Sequence, residues 1–190
     1  MIILGIDPGT RITGYGLIRL HATGMELLDF GCIRPPPTLH LNQRYRIIFE
    51  SIEALIEKFS PTAVAVESQF VLKNVQSTLK LGMAKGMVLL AAARKNIEVT
   101  EYTPIKAKLA VVGTGGASKS QVQRMIAALL RLPKLPEPED AADALALAIC
   151  HAHNRRTTQC LNSSKGRSLK KRRSKRSWKP PESATASPSP

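Results

Sequence analysis

Two short apolar runs, IILGID at residues 2–7 and TAVAVE at residues 62–67, each end on a carboxylate. A short apolar stretch closed in this way, the first followed by the breaker Pro8-Gly9, reads as a strand buried in a sheet. If the two strands lie side by side, their ends meet and Asp7 and Glu67 share one edge. Between them, TGYGLIRL and MELLDFGCIR alternate as further strands, joined by a short linker containing Gly24 and expected as antiparallel neighbours of the first. From about Leu39 to Phe59, Ile47, Ile48, Ile52, Leu55, Ile56 and Phe59 recur at helical spacing until Ser60-Pro61 stops the pattern.

The segment from Val75 to Lys95 is apolar on more than one face and carries Gly82, Ala84 and Gly86. A helix of that kind must be covered on both sides. It fits either a central core helix or a contact between two copies of the chain. VTEYT reads as a fifth strand, Ser118 to Leu132 as a helix, and Asp140 to about His153 as the last helix, after a loop with Pro133, Pro136 and Pro138. Strands mixed with crossover helices give an α/β layered fold.

At 190 residues with 43% apolar content, the chain is long enough for one buried core and too short for two domains of ordinary size. Its net charge of +14 points to an anionic partner such as nucleic acid. Residues 151–190 hold 11 Lys or Arg against the single acid Glu182, whereas residues 1–150 come to only +4. A single folded domain over 1–155 and a basic tail over 156–190 are therefore expected. The tail's Ser, Pro and like charges predict disorder, and it suits either a solubilising role or added phosphate contacts.

Cys32, Cys150 and Cys160 form no Cys-x-x-Cys pair, and no signal-like or membrane-length apolar run is seen, so a reducing compartment, the cytoplasm, is expected. Cys150, His151, His153 and Cys160 fit no standard zinc-finger spacing. VVGTGGASKS at 111–120 looks like a nucleotide-binding loop, but G-x-x-x-x-G-K-[ST] needs a second glycine where Ser118 stands. Ser118 instead opens a helix whose N-terminus favours anions, and Lys119 adds a charge, so a DNA phosphate is expected there rather than ATP.

Asp140 and Asp143 are three residues apart, which places both on one helical face. Each acid alone has an ordinary explanation as a turn former, strand terminus or helix cap. Set among alanine, leucine and buried-type strands, four converging acids would repel at a cost that a cation offsets. With no Cys or His nearby, a hard ion such as Mg²⁺ or Mn²⁺ is implied. Two such ions about 4 Å apart support phosphodiester hydrolysis.

MIILGIDPGT, AVESQFVLKNVQSTLKLG, VVGTGGASKSQV and DAADALALAICHAH, in this order over residues 1 to about 155, resemble the RuvC family of Holliday-junction resolvases. The resemblance implies an RNase H-like mixed five-stranded sheet flanked by helices, with Asp7, Glu67, Asp140 and Asp143 as catalytic metal ligands. It further implies that Phe70 stacks on or wedges between bases, and that Lys108 and Lys119 lie near the scissile phosphate or the DNA backbone. A homodimer on a four-way junction, cooperating with RuvA and RuvB, belongs to the same expectation. GIDPGT also resembles the phosphate strand of sugar kinases and chaperone-like ATPases, although the chain is too short for their two lobes. A non-catalytic basic DNA- or RNA-binding protein would suit the tail but leaves the carboxylates unexplained.

Overall fold

The structure, a computed structural model, describes residues 1–68 and 74–155. Its sheet has the order β3-β2-β1-β4-β5, built from β1 (Ile2–Asp7), β2 (Thr13–Leu20), β3 (Met25–Ile33), β4 (Ala63–Glu67) and β5 (Glu98–Tyr102). The β1–β2 and β2–β3 pairs are antiparallel, and β1–β4 and β4–β5 are parallel. This is the mixed five-stranded sheet expected. One detail differs: β3 does not touch β1 but takes the edge beyond β2, as a hairpin-connected strand does when the far side of β1 is already held by β4.

The period-two alternation of the central strands sorts their side chains onto two faces. Leu4, Ile6, Leu17, Val64 and Val66 pack with Ile48, Ile52 and Ile56 of α1 (Leu41–Phe59) and with Ala84, Val88, Ala91 and Ala92 of α2 (Val75–Arg94). Ile3, Ile18, Ala65 and Tyr102 point to the opposite face. There they meet α3 (Pro104–Val112), α4 (Lys119–Leu130) and a last helix, α5, over residues 139–155. By the same alternation Asp7 and Glu67 fall on the α5 side.

Local signals set the helix ends. Ser60 takes a left-handed conformation (φ 48°) after α1, and the Asn74 side chain accepts the Ser77 N–H at 3.2 Å to start α2. Helix α3 was not anticipated. Thr103 caps it by accepting the Lys106 N–H at 3.1 Å, Pro104 occupies its first turn, and Gly113 (φ 82°) closes it. Val111 and Val112 are thus the end of a helix, not the strand that would lead into a nucleotide-binding loop.

The described elements belong to one compact unit, Met1–Asn154. No described helix is long and apolar enough to cross a membrane. The expected basic tail over 156–190, with Cys160, lies outside the described residues, as does Phe70.

Candidate active site

Asp7 closes β1 where a tight turn takes over. Buried Thr13 donates its hydroxyl to the Gly9 carbonyl at 2.8 Å and accepts the Gly9 N–H at 3.3 Å, and Arg44 of α1 donates to the Thr10 carbonyl. Asp7 is thereby held in place from behind. Glu67 closes the parallel neighbour β4 one step past the Ile6–Val66 pair, so the two carboxyls meet. They lie close enough to share a hydrogen bond.

Helix α5 brings the other two acids across the sheet. Small residues make this possible: Gly5 and Gly14 leave no side chain between the strands and the α5 backbone at Ala144 and Asp140. Alanines fill the helix side of the contact, with Ala141, Ala142, Ala144 and Ala148 all buried. The N-terminal turn of α5 therefore sets Asp140 and Asp143 close enough to Asp7 for their charges to act on it and on each other.

The consequence is a site short of positive charge. Burial, then the Glu67 charge and hydrogen bond, then Asp140, push the Asp7 carboxyl up to about 8. Burial and the charge of Asp7 push Asp143 up to about 6, and burial raises Glu67 as well. Lys119, at the start of α4, is the cation that opposes these shifts in both aspartates. Ser118 caps that helix, accepting the Gln121 N–H at 3.3 Å, and Lys119 pairs with Glu139 at 2.6 Å. Among the described residues no three His, Cys, Asp or Glu side chains close into a ready-made metal shell. The donor set is all oxygen, which fits a hard divalent cation and not a thiolate or imidazole metal.

Apart from Phe70, which lies outside the described residues, the residues expected in the site have definite places. Asp7, Glu67, Asp140 and Asp143 form one electrostatic cluster, and Lys119 stands beside it. Lys108 lies on α3, half-buried. Of the four residues whose spacing fits no zinc finger, Cys160 lies outside the described residues, the Cys150 thiol approaches the Lys106 carbonyl, and His153 donates Nδ1–H to the Ala110 carbonyl at 2.9 Å. His151 is buried against Tyr102, with its Nδ1 at 3.0 Å from the phenol oxygen. Glu139, next to Asp140, went unnoticed in the sequence because its partner lies 20 positions away. The glycine contact left one legible sign, the alternating Gly14 and Gly16 of β2.

The sequence model of the family described as crossover junction endodeoxyribonuclease RuvC matches residues 3–151. A protein of that name from Protochlamydia amoebophila is 58% identical over 152 residues, covering 80% of this chain and 90% of the relative. The solved structure of Thermus thermophilus RuvC in complex with Holliday junction substrate superposes with a TM-score of 0.79 at 34% identity, covering 83% of this chain and 96% of that one. The yeast mitochondrial Holliday junction resolvase Ydc2, at 15% identity and a TM-score of 0.59, covers 79% of this chain and 78% of its own, and shares the fold. With the sheet order, the carboxylate cluster and these matches in agreement, the chain belongs to the RuvC family of crossover junction endodeoxyribonucleases.

Proposed function

We propose that this chain binds four-way Holliday-junction DNA and hydrolyses one phosphodiester in each of two opposed strands, serving recombination and repair. The observation that carries this reading is the clustering of Asp7, Glu67 and Asp143, all with raised affinity for protons, at one sheet edge. A site that holds protons so tightly has a strong electrostatic demand for cations. Asp7, Glu67, Asp140 and Asp143 would hold Mg²⁺ or Mn²⁺, two ions per subunit, which when bound activate a water and stabilise the leaving oxygen.

The chain's own groups do the rest. Once deprotonated, the carboxylates would hold the cations, Lys119 would neutralise part of the phosphate charge, and the capped start of α4 offers backbone N–H groups to the DNA backbone. Lys108 is assigned a second backbone contact and Phe70 a stacking contact with a junction base. Two equivalent cuts on a two-fold substrate call for a two-fold dimer. Helix α2 supports it: Leu79, Met83 and Leu90 are 58%, 53% and 50% exposed on the face opposite its buried alanines, with open space above Gly82 and Gly86. RuvA and RuvB as partners, a cytoplasmic setting and a DNA-holding role for the basic 156–190 segment complete the proposal.

The test is cleavage of a labelled four-way junction beside a linear duplex of the same sequence, in Mg²⁺ and in chelator. Paired, symmetric nicks in the junction alone and in Mg²⁺ alone are expected. Equal cutting of the duplex, or cutting in chelator, would overturn the reading.

A further inference from the structure

Where α5 enters its contact with the sheet, it passes over Gly14. In the β1–β2 ladder Gly14 stands directly opposite Asp7. A Cβ at Gly14 would lie 2.0 Å from the Asp140 carbonyl oxygen, 2.5 Å from its carbonyl carbon and 3.2 Å from the Ala141 nitrogen. All three are backbone atoms of the first turn of α5, so rotating a side chain relieves nothing. The helix would have to lift or slide, and Asp140 and Asp143 would move with it.

The strand itself does not call for glycine at this point. Gly113 is the one described glycine with positive φ, so alanine suits the local backbone of Gly14, and strand interiors are weakened by glycine. Only the approach of α5 opposes a side chain. Two other glycines share the contact but act farther along the helix, with Gly5 under Ala144 and Ala148 and Gly16 under Leu145. Gly14 alone lies both opposite one carboxylate of the cluster and beneath the backbone of another.

We infer that Gly14 is a positioning residue of the cutting centre, setting the depth at which Asp140 and Asp143 sit beside Asp7 and Glu67. The inference rests on the functional reading above and deepens it. Displacing a catalytic group by about 1 Å can cost ~10²-fold in rate, and loosening the support of metal ligands about 10–100-fold in metal affinity.

Gly14→Ala is compared with wild type and with Ile126→Val, which weakens the same half of the core without touching the β2–α5 contact. Mn²⁺ binding is measured by calorimetry, junction binding in chelator, and single-turnover cutting in Mn²⁺, all well below the melting point of each variant. Gly14→Ala is expected to need about tenfold more Mn²⁺ for half-saturation and to cut ~10²-fold more slowly, with junction binding retained. Ile126→Val should match wild type in all three. Wild-type Mn²⁺ binding by Gly14→Ala, loss of junction binding together with cutting, an equal defect in Ile126→Val, or failure of Gly14→Ala to fold each overturns the inference. Failure of the wild type itself to bind Mn²⁺ and cut would sink the functional reading instead.

Discussion

Asp7 carries the largest electrostatic strain among the clustered acids. Its folded-state proton affinity, raised to about 8, exceeds that of an ordinary aspartate, so between about pH 4 and 8 the folded chain binds more protons than the unfolded one. Stability from this group is therefore full at low pH and lost as pH rises through about 8. Asp7→Asn cannot ionise and escapes that loss. In chelator at pH 8 its melting temperature should exceed that of wild type, by roughly 2–4 °C for each kcal/mol relieved, and the gap should narrow as pH falls and close near about pH 4; no difference at pH 8 would contradict the raised proton affinity. Lys119 works in the opposite sense. Lys119→Ala should weaken binding to junctions of any sequence and lower the slope of log affinity against log salt by about 1, read by fluorescence anisotropy at several salt concentrations.

At the scale of elements, the site depends on a helix lying close to a sheet, and Tyr102 helps tie the two together. Its phenol meets His151 of α5 at 3.0 Å, and its own strand position pairs with Glu67. Tyr102→Phe removes that contact and should cost about 1–2 kcal/mol in urea denaturation; an unchanged midpoint would show the tie to be idle. Much of this layout was legible in the residues. The apolar runs ending on Asp7 and Glu67 marked the paired strands, and Asp140-x-x-Asp143 marked one helical face. Helix α3 was not legible, because Ile105 and Leu109 are exposed while Ala107 and Val111 are buried, so hydrophobicity does not distinguish its two faces. Thr103-Pro104 was the signal available there. The closeness of α5 to Gly14 left only the alternating Gly14 and Gly16 as a sign, because the partner of that contact lies far away in sequence.

For the whole molecule, the proposed dimer turns on the two faces of α2. Its alanine face closes the core, and its opposite face offers Leu79, Met83 and Leu90 around two glycines. Met83→Glu should leave a folded chain that sediments as a monomer and nicks junctions singly; paired nicks from an unaltered dimer would place the contact elsewhere. The central claim is that the four acids form one metal-dependent cutting centre, separable from DNA binding. Its most direct test is the single-turnover cutting of a four-way junction by wild type and Asp7→Asn in Mg²⁺, with junction affinity measured on the same samples. Loss of cutting by Asp7→Asn with affinity kept is the predicted result, and either cutting at the wild-type rate or loss of affinity together with cutting would contradict it.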